Sequence, residues 1–164
     1  MIEDWDKDIH KIKFSEDNVY FWKINEITDV FLEAGEGKFY TGITDLHPGG
    51  DGICAFRDPE NMNFDLIDYP DEIKNALNKI QPVLYRVYDY FYNKLKNMGQ
   101  ACCTWHTIAS NKRFYIPSND FSCMISNKMF REFFLDGIIE ECRFYENSIY
   151  HLDGPGALQM IYLI

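Results

Sequence analysis

The stretch Ser148-Ile149-Tyr150-His151-Leu152-Asp153-Gly154-Pro155-Gly156 decides how the rest of the chain is interpreted. Its first five residues form a short β-prone run after a helical pattern, which is typical of a buried parallel strand. Gly154-Pro155-Gly156 then ends the strand with a turn. Because ligands bind at the carboxyl ends of parallel strands in α/β folds, His151 and Asp153 are the first candidates for a functional site.

Composition restricts the class of protein. The chain has 164 residues, and we expect residues 1–164 to form a single domain with a real core. A net charge of -10 argues against a nucleic-acid partner, because phosphate binding relies on a basic surface. There is no apolar run long enough for a membrane span, and the acidic start does not resemble a signal peptide. We therefore expect a cytoplasmic protein without a membrane partner.

Periodic apolar residues predict four helical regions, with three short β-prone runs between and after them. Helices are predicted over 15–34, over 51–68 in two pieces, over 70–98 with a kink at Pro82, and over 126–145. Strands are predicted over 38–44, 101–106 and 148–152, and 107–120 reads as a long irregular connection. Such alternation indicates a parallel sheet with right-handed crossovers. Three strands are few, so the chain is either a minimal α/β domain or part of a larger barrel.

Three stretches together resemble the uroporphyrinogen decarboxylase-like family, which includes the corrinoid:coenzyme M methyltransferases. They span nearly the whole chain: Gly35 through His47 with Asp51 and Arg57-Asp58-Pro59-Glu60-Asn61; Asp120-Phe121-Ser122-Cys123-Met124-Ile125-Ser126 with Phe130 and Phe134; and Tyr150-His151-Leu152-Asp153-Gly154-Pro155-Gly156-Ala157-Leu158. The resemblance implies a (β/α)8 TIM barrel. This chain is then about half of such a barrel, with parallel strands and flanking helices, since the full fold needs about 250 residues.

The resemblance also implies a metal at the end of the last strand. Methyltransferases of this family hold zinc with a His-x-Cys motif there and with a later cysteine, whereas His151-Leu152-Asp153 keeps only the histidine. On this reading His151 and Asp153 are catalytic or zinc-binding remnants, and the methyl donor is a corrinoid on a partner protein. A catalytic zinc uses three protein ligands, so two are too few. The alternative is that His151 and Asp153 hydrogen-bond each other or cap the next helix.

Other candidates follow the first two predicted strands. Asp45 and His47 are able to form an acid–base or substrate-binding pair, or simply a turn, which Asp, Pro and Gly favour. The resemblance implies that Trp105, His106 and Asp120 lie beside the substrate. The alternatives are a core position for Trp105 and a capping role for Asp120.

Taken together, the sequence predicts a fragment of a uroporphyrinogen decarboxylase-like enzyme of the corrinoid-dependent methyltransferase branch, inactive alone. One alternative is a non-catalytic α/β protein that folds as a homo-oligomer, because a half-barrel exposes strand edges and apolar faces. Another is decarboxylation of a tetrapyrrole-like substrate. That alternative is disfavoured, because the family's arginine-bearing segment for the substrate carboxylates has no counterpart here.

Overall fold

The computed structural model describes residues 1–164, which form a mixed α/β structure dominated by helices. None of the helices combines the length and hydropathy that crossing a membrane requires. The helices are α1 (Trp5–Asp8), α2 (Val19–Gly35), α3 (Gly49–Arg57), α4 (Pro59–Asp68), α5 (Pro70–Asn97), α6 (Asn127–Phe133), α7 (Leu135–Phe144) and α8 (Gly154–Ala157). Short 3-10 turns cover Ile9–Lys11, Asp120–Met124 and Leu158–Met160.

Four two-residue strands form two small sheets. Strand β1 (Cys102–Cys103) pairs antiparallel with β2 (Ala109–Ser110), and β3 (Phe114–Tyr115) pairs parallel with β4 (Asn147–Ser148). The parallel pairing continues beyond these strands to a bridge between Ser118 and His151. Backbone N–H groups of alternate residues donate to alternate carbonyl groups: Asn147 to Arg113 at 3.0 Å, Ile149 to Tyr115 at 3.3 Å and His151 to Pro117 at 2.9 Å.

The expectation of a wholly parallel sheet is wrong, because β1 and β2 form an antiparallel pair. The predicted strand over 38–44 is not regular, although the Ile43 N–H donates to the Cys103 carbonyl at 2.8 Å. The stretch over 107–120 is not irregular, since it contains β2 and β3. The parallel ladder extends past the second of these strands to Pro117. A proline is tolerated there because the ladder uses its carbonyl group and not the N–H group that it lacks.

Helix boundaries follow local capping chemistry. Asn18 caps α2, because its side chain accepts from the N–H groups of Tyr20 and Phe21, so this helix begins at Val19 and later than predicted. Ser126 caps α6, but the predicted helix over 126–145 breaks at Phe134 into α6 and α7. Pro82 lies within α5 without splitting it.

The buried apolar residues form two groups, and α5 contributes to both. Its first half carries Ile73 and Ala76 into a core shared with the N-terminus, α3, α4 and the segment from Phe121 to Ile138. Its second half carries Tyr88, Phe91 and Leu95 into a core shared with α2, β1 and β3; this second core comprises Leu32, Ile43, Tyr88, Phe91, Leu95, Cys102, Phe114, Tyr115, Ile116 and Tyr145. The long helix thus holds the strands and the helical layer in one arrangement.

Candidate functional site

His47 lies at the centre of the site, with a partner on each ring nitrogen. Its Nε2 is 2.7 Å from Asp45 Oδ2, and its Nδ1 is 2.8 Å from Ser118 Oγ. An ionised carboxylate can only accept, so in the neutral imidazole the hydrogen is on Nε2. Nδ1 must then accept a hydrogen bond from the Ser118 hydroxyl. The three side chains form a hydrogen-bonded Asp45–His47–Ser118 relay.

A buried tyrosine fixes the segment that carries Asp45 and His47. The Tyr115 hydroxyl donates to the Thr44 carbonyl at 3.0 Å and accepts from the Leu46 N–H. Tyr115 has no exposed surface, and burial raises the pKa of its phenol well above the ordinary value. The hydroxyl is therefore neutral, and it can donate and accept at once. Tyr115 therefore holds the loop after residue 44 against β3.

Asp51, on the first turn of α3, ties this helix to the segment after β3. Its two carboxylate oxygens accept from the backbone N–H groups of Asp120 at 2.9 Å and Phe121 at 2.8 Å. Its Oδ2 also lies 3.7 Å from Nδ1 of His47. The imidazole therefore lies between the carboxylates of Asp45 and Asp51.

Asp120 lies within the electrostatic reach of both candidate histidines. Partial burial raises the pKa of its carboxyl, the charges of Asp51 and Asp153 raise it further, and His47 and His151 lower it. Its side chain does not cap the following 3-10 turn, whose N-cap is Asn119 without a side-chain hydrogen bond. The carboxyl of Asp120 therefore interacts electrostatically with both His47 and His151.

His151 packs among aromatic rings beside Ser118. Its ring lies edge-to-face on Trp105 at a centroid distance of 5.1 Å, and Trp105 is 4.3 Å from the ring of His106. Trp105 is 44% exposed, which excludes the alternative of a core position. The predicted residues therefore form two groups, Asp45 with His47 and Trp105 with His106, His151 and Asp153, and Asp120 lies within the electrostatic reach of both.

His151 and Asp153, which follow β4, do not form a zinc site. His151 Nε2 and Asp153 Oδ1 are 3.9 Å apart, and no group of three His, Cys, Asp or Glu side chains is arranged to hold a metal. Two ligands leave the coordination of a catalytic zinc incomplete. The 3.9 Å separation is also too long for a hydrogen bond, and Asp153 makes no side-chain bond at the start of α8.

Ser118 was missed by sequence reasoning, and Asp51 entered it only as part of the family resemblance. A usable signal for Ser118 was the apolar run Phe114-Tyr115-Ile116, which ends in the polar sequence Ser118-Asn119-Asp120. That is the pattern of a strand leading into a site loop.

No family model, curated protein or solved structure matches this chain. The fold and site define a mixed α/β protein with a hydrogen-bonded Asp–His–Ser group beside the end of its parallel ladder.

Proposed function

We propose that this chain carries the substrate-facing part of a uroporphyrinogen decarboxylase-like enzyme in which His47 transfers protons. The observation that carries the proposal is the Asp45–His47–Ser118 relay, with distances of 2.7 Å and 2.8 Å. A carboxylate that holds the tautomer of an imidazole is the usual way to prepare a general base. The site residues come from four separate stretches of sequence, and their convergence favours a functional role over a simple turn at Asp45 and His47.

The geometry assigns a route for the proton. Because Asp45 occupies Nε2, the free lone pair of His47 is on Nδ1, and it points at Ser118. A bound substrate therefore loses its proton to the Ser118 oxygen while Ser118 passes its own hydroxyl proton to Nδ1. Ser118 ends the step as a neutral hydroxyl, and the new charge is on an imidazolium between Asp45 and Asp51.

In the methyl-transfer branch of the family, the acceptor is a thiol that must lose a proton before its sulfur attacks the methyl group. The chain offers too few ligands for zinc, so we assign this deprotonation to His47. The methyl donor would be a corrinoid carried by a partner protein. A methylcorrinoid would supply the methyl group and keep the electron pair of the bond that breaks, and the role of this chain would be to take the thiol proton to His47 through Ser118.

Decarboxylation of a tetrapyrrole-like substrate is less well supported, because three arginines are engaged elsewhere. Arg57 pairs with Asp65 at 2.5 Å, Arg86 with Glu16 at 2.5 Å and Arg113 with Asp89 at 2.5 Å. None of these carboxylate partners belongs to the site. A substrate with several carboxylates needs guanidinium partners of its own.

The test is methyl transfer from methylcobalamin to 2-mercaptoethanesulfonate, measured as the S-methyl product by mass spectrometry. Although the resemblance implies a fragment that is inactive alone, the relay lies wholly within this chain, and we therefore expect the chain itself to transfer the methyl group. The transfer should persist in a metal chelator and fall by about 10²–10⁴-fold in His47→Gln, the range for loss of a general base. His10→Gln is the matched control, because His10 is exposed and far from the relay along the chain. Absence of transfer, loss of transfer in the chelator, or equal activity of the two variants would each refute the proposal.

A second candidate is a non-catalytic protein that self-associates. It is favoured by apolar side chains on the outer face of α2, where Ile27, Val30 and Phe31 are each more than half exposed. Strands β2, β3 and β4 also have a partner strand on one side alone. Light scattering over a dilution series tests this candidate, and a stable monomer at all concentrations would exclude it.

A further inference from the structure

A cavity of about 430 Å³ lies where α2 and the segment before it meet the second half of α5. Its lining shares no residue with the Asp45–His47–Ser118 relay. Small-molecule sites have volumes of about 300–1,000 Å³, apolar or aromatic walls and a few polar groups. Seven residues line the cavity, whereas a standard protein interface uses about 20–30 residues on each side, so the cavity fits a small molecule and not a protein.

Four aromatic side chains form the walls of the cavity, with Phe21 at their centre. The ring centroids of Phe14, Trp22 and Tyr90 lie 5.2 Å, 5.3 Å and 5.0 Å from the Phe21 centroid, at angles of 90°, 80° and 60° to its plane. Trp22 and Tyr90 are 44% and 37% exposed, so a ligand can reach them. Aromatic pairs in edge-to-face arrangements are stabilised beyond simple burial. An aromatic ring is therefore the ligand group that these walls suit best.

The polar atoms of the two exposed rings are already paired within the protein. Trp22 Nε1 donates to the backbone carbonyl of Glu16 at 2.7 Å, and the Tyr90 hydroxyl donates to Asn25 Oδ1 at 2.8 Å. These hydrogen bonds hold both rings in place. They also leave Arg86 and Glu16 as the charged side chains of the lining, so the polar contacts of a ligand must be made there.

Arg86 has N–H groups available for a ligand. Its guanidinium lies over the Phe14 ring, 4.5 Å from the centroid, and its Nη2 donates to Glu16 Oε1 at 2.5 Å. A guanidinium has five N–H donors, and this hydrogen bond is the one that Arg86 makes within the protein. The side chain is 58% exposed. A second carboxylate can therefore bind to Arg86 while Phe14 and Glu16 hold the guanidinium.

The charge on Arg86 decides the sign of the ligand. Aromatic rings attract cations, but the Phe14 ring already holds the guanidinium, which would repel a cationic ligand. A carboxylate instead gains charge-assisted hydrogen bonds from Arg86. Glu16 weakens this attraction only in part, because its side chain is 78% exposed and water screens an exposed ion pair. The lining therefore favours an anion over a cation.

We propose that this cavity binds a small aromatic carboxylate, with its ring against Phe21, Trp22 and Tyr90 and its carboxylate accepting hydrogen bonds from Arg86. Each of these four residues lines the cavity, and none of them is buried. Because the cavity is separate from the relay, the proposal does not depend on the function proposed for His47.

The probe is 3-phenylpropionate, compared with 3-phenyl-1-propanol and 3-phenylpropylamine, which keep the ring and the chain and change the charge. Binding is followed by the nitrogen-15 NMR signals of Trp22 Nε1 and Arg86 Nε. We expect millimolar binding of the acid, about three- to fivefold weaker binding of the alcohol and still weaker binding of the amine. Equal binding of the acid and the alcohol, tightest binding of the amine, or no shift of the Trp22 signal at tens of millimolar would overturn the proposal.

Three variants test the contact between the carboxylate and Arg86. Arg86→Gln should lower the affinity for the acid by about three- to fivefold and leave the affinity for the alcohol unchanged. Glu16→Gln removes the competing carboxylate while its backbone carbonyl still holds Trp22, so the affinity for the acid should rise about two- to fivefold. Arg131→Gln is the matched control, because Arg131 is exposed on α6 and lies outside the lining, and both affinities should stay unchanged. Weaker binding of the acid by Glu16→Gln, or equal affinities of Arg86→Gln and Arg131→Gln for the acid, would refute the assignment.

Discussion

Glu141→Gln should make the protein more stable in neutral and mildly alkaline solution than it is with the native residue. Glu141 is 3% exposed, and burial raises the pKa of its carboxyl from 4.5 to about 8. Between these two values the folded protein keeps a proton that the unfolded chain has released. The free energy of unfolding therefore falls as the pH rises through this window, and it levels off above about pH 8. Below pH 4.5 both states are protonated, and the group has no effect.

The magnitude follows from the same two pKa values. They differ by about 3.5 pH units, and each unit corresponds to about 1.4 kcal/mol, so the full cost is at most about 5 kcal/mol. Relaxation of the protein around the ionised carboxylate reduces this cost. We expect wild type to lose about 2–4 kcal/mol relative to Glu141→Gln between pH 5 and pH 8.

Urea denaturation at pH 5, 6, 7 and 8 measures this difference directly. The exposed carboxylates titrate equally in both proteins, so subtracting the two curves isolates Glu141. Glu140→Gln should follow wild type within about 0.5 kcal/mol at every pH, as exposed substitutions usually do. Parallel curves for wild type and Glu141→Gln would refute the burial argument.

Three further predictions concern the scaffold of the site. Gly50→Ala places a Cβ 2.4 Å from Asn119 Oδ1, so we expect thermal unfolding to show a loss of stability of about 1–3 kcal/mol. Gly137→Ala is the control: the nearest atom to its Cβ is 3.7 Å away, and the substitution should be neutral or slightly stabilising. Equal effects of the two substitutions would contradict the packing at Gly50. Tyr115→Phe leaves the Thr44 carbonyl and the Leu46 N–H without their partner, so the free energy of unfolding in urea should fall by about 1–3 kcal/mol. An unchanged midpoint would show that the hydroxyl does not hold the loop. Ser118→Ala should shift the nitrogen-15 NMR signal of His47 Nδ1 and leave the hydrogen bond from Nε2 to Asp45 unchanged. An unchanged Nδ1 signal would exclude the relay.

Helical structure was largely predictable because its signals are local. Pro59 and Pro70 begin helices, Ser126 caps one, and Gly99 follows the end of α5 with a φ of 69°. The break at Phe134 was not predictable, since the apolar stripe continues through it. The strands were missed or misassigned because segments of two residues carry almost no periodic pattern.

The candidate site shows the same division between local and long-range information. The pairing of Asp45 with His47 could be expected from two nearby residues, but Ser118 is 71 positions from its partner His47, and no spacing rule connects them. Glu141 did carry a readable signal. It falls three residues after buried Ile138 and four before buried Tyr145, which is the buried stripe of a helix.

The parallel ladder that ends at His151 limits how this gene can change in length. The N–H groups of every second residue, Asn147, Ile149 and His151, donate to the neighbouring segment. The side chains of these three residues therefore lie on one face of the ladder, and the side chain of Tyr150 lies on the opposite face. Losing or gaining one codon between Tyr145 and His151 would put a neighbouring side chain where the imidazole belongs. Only changes of two codons would keep the imidazole on its side of the ladder, so we expect this connection to tolerate substitution far better than a single-residue insertion or deletion.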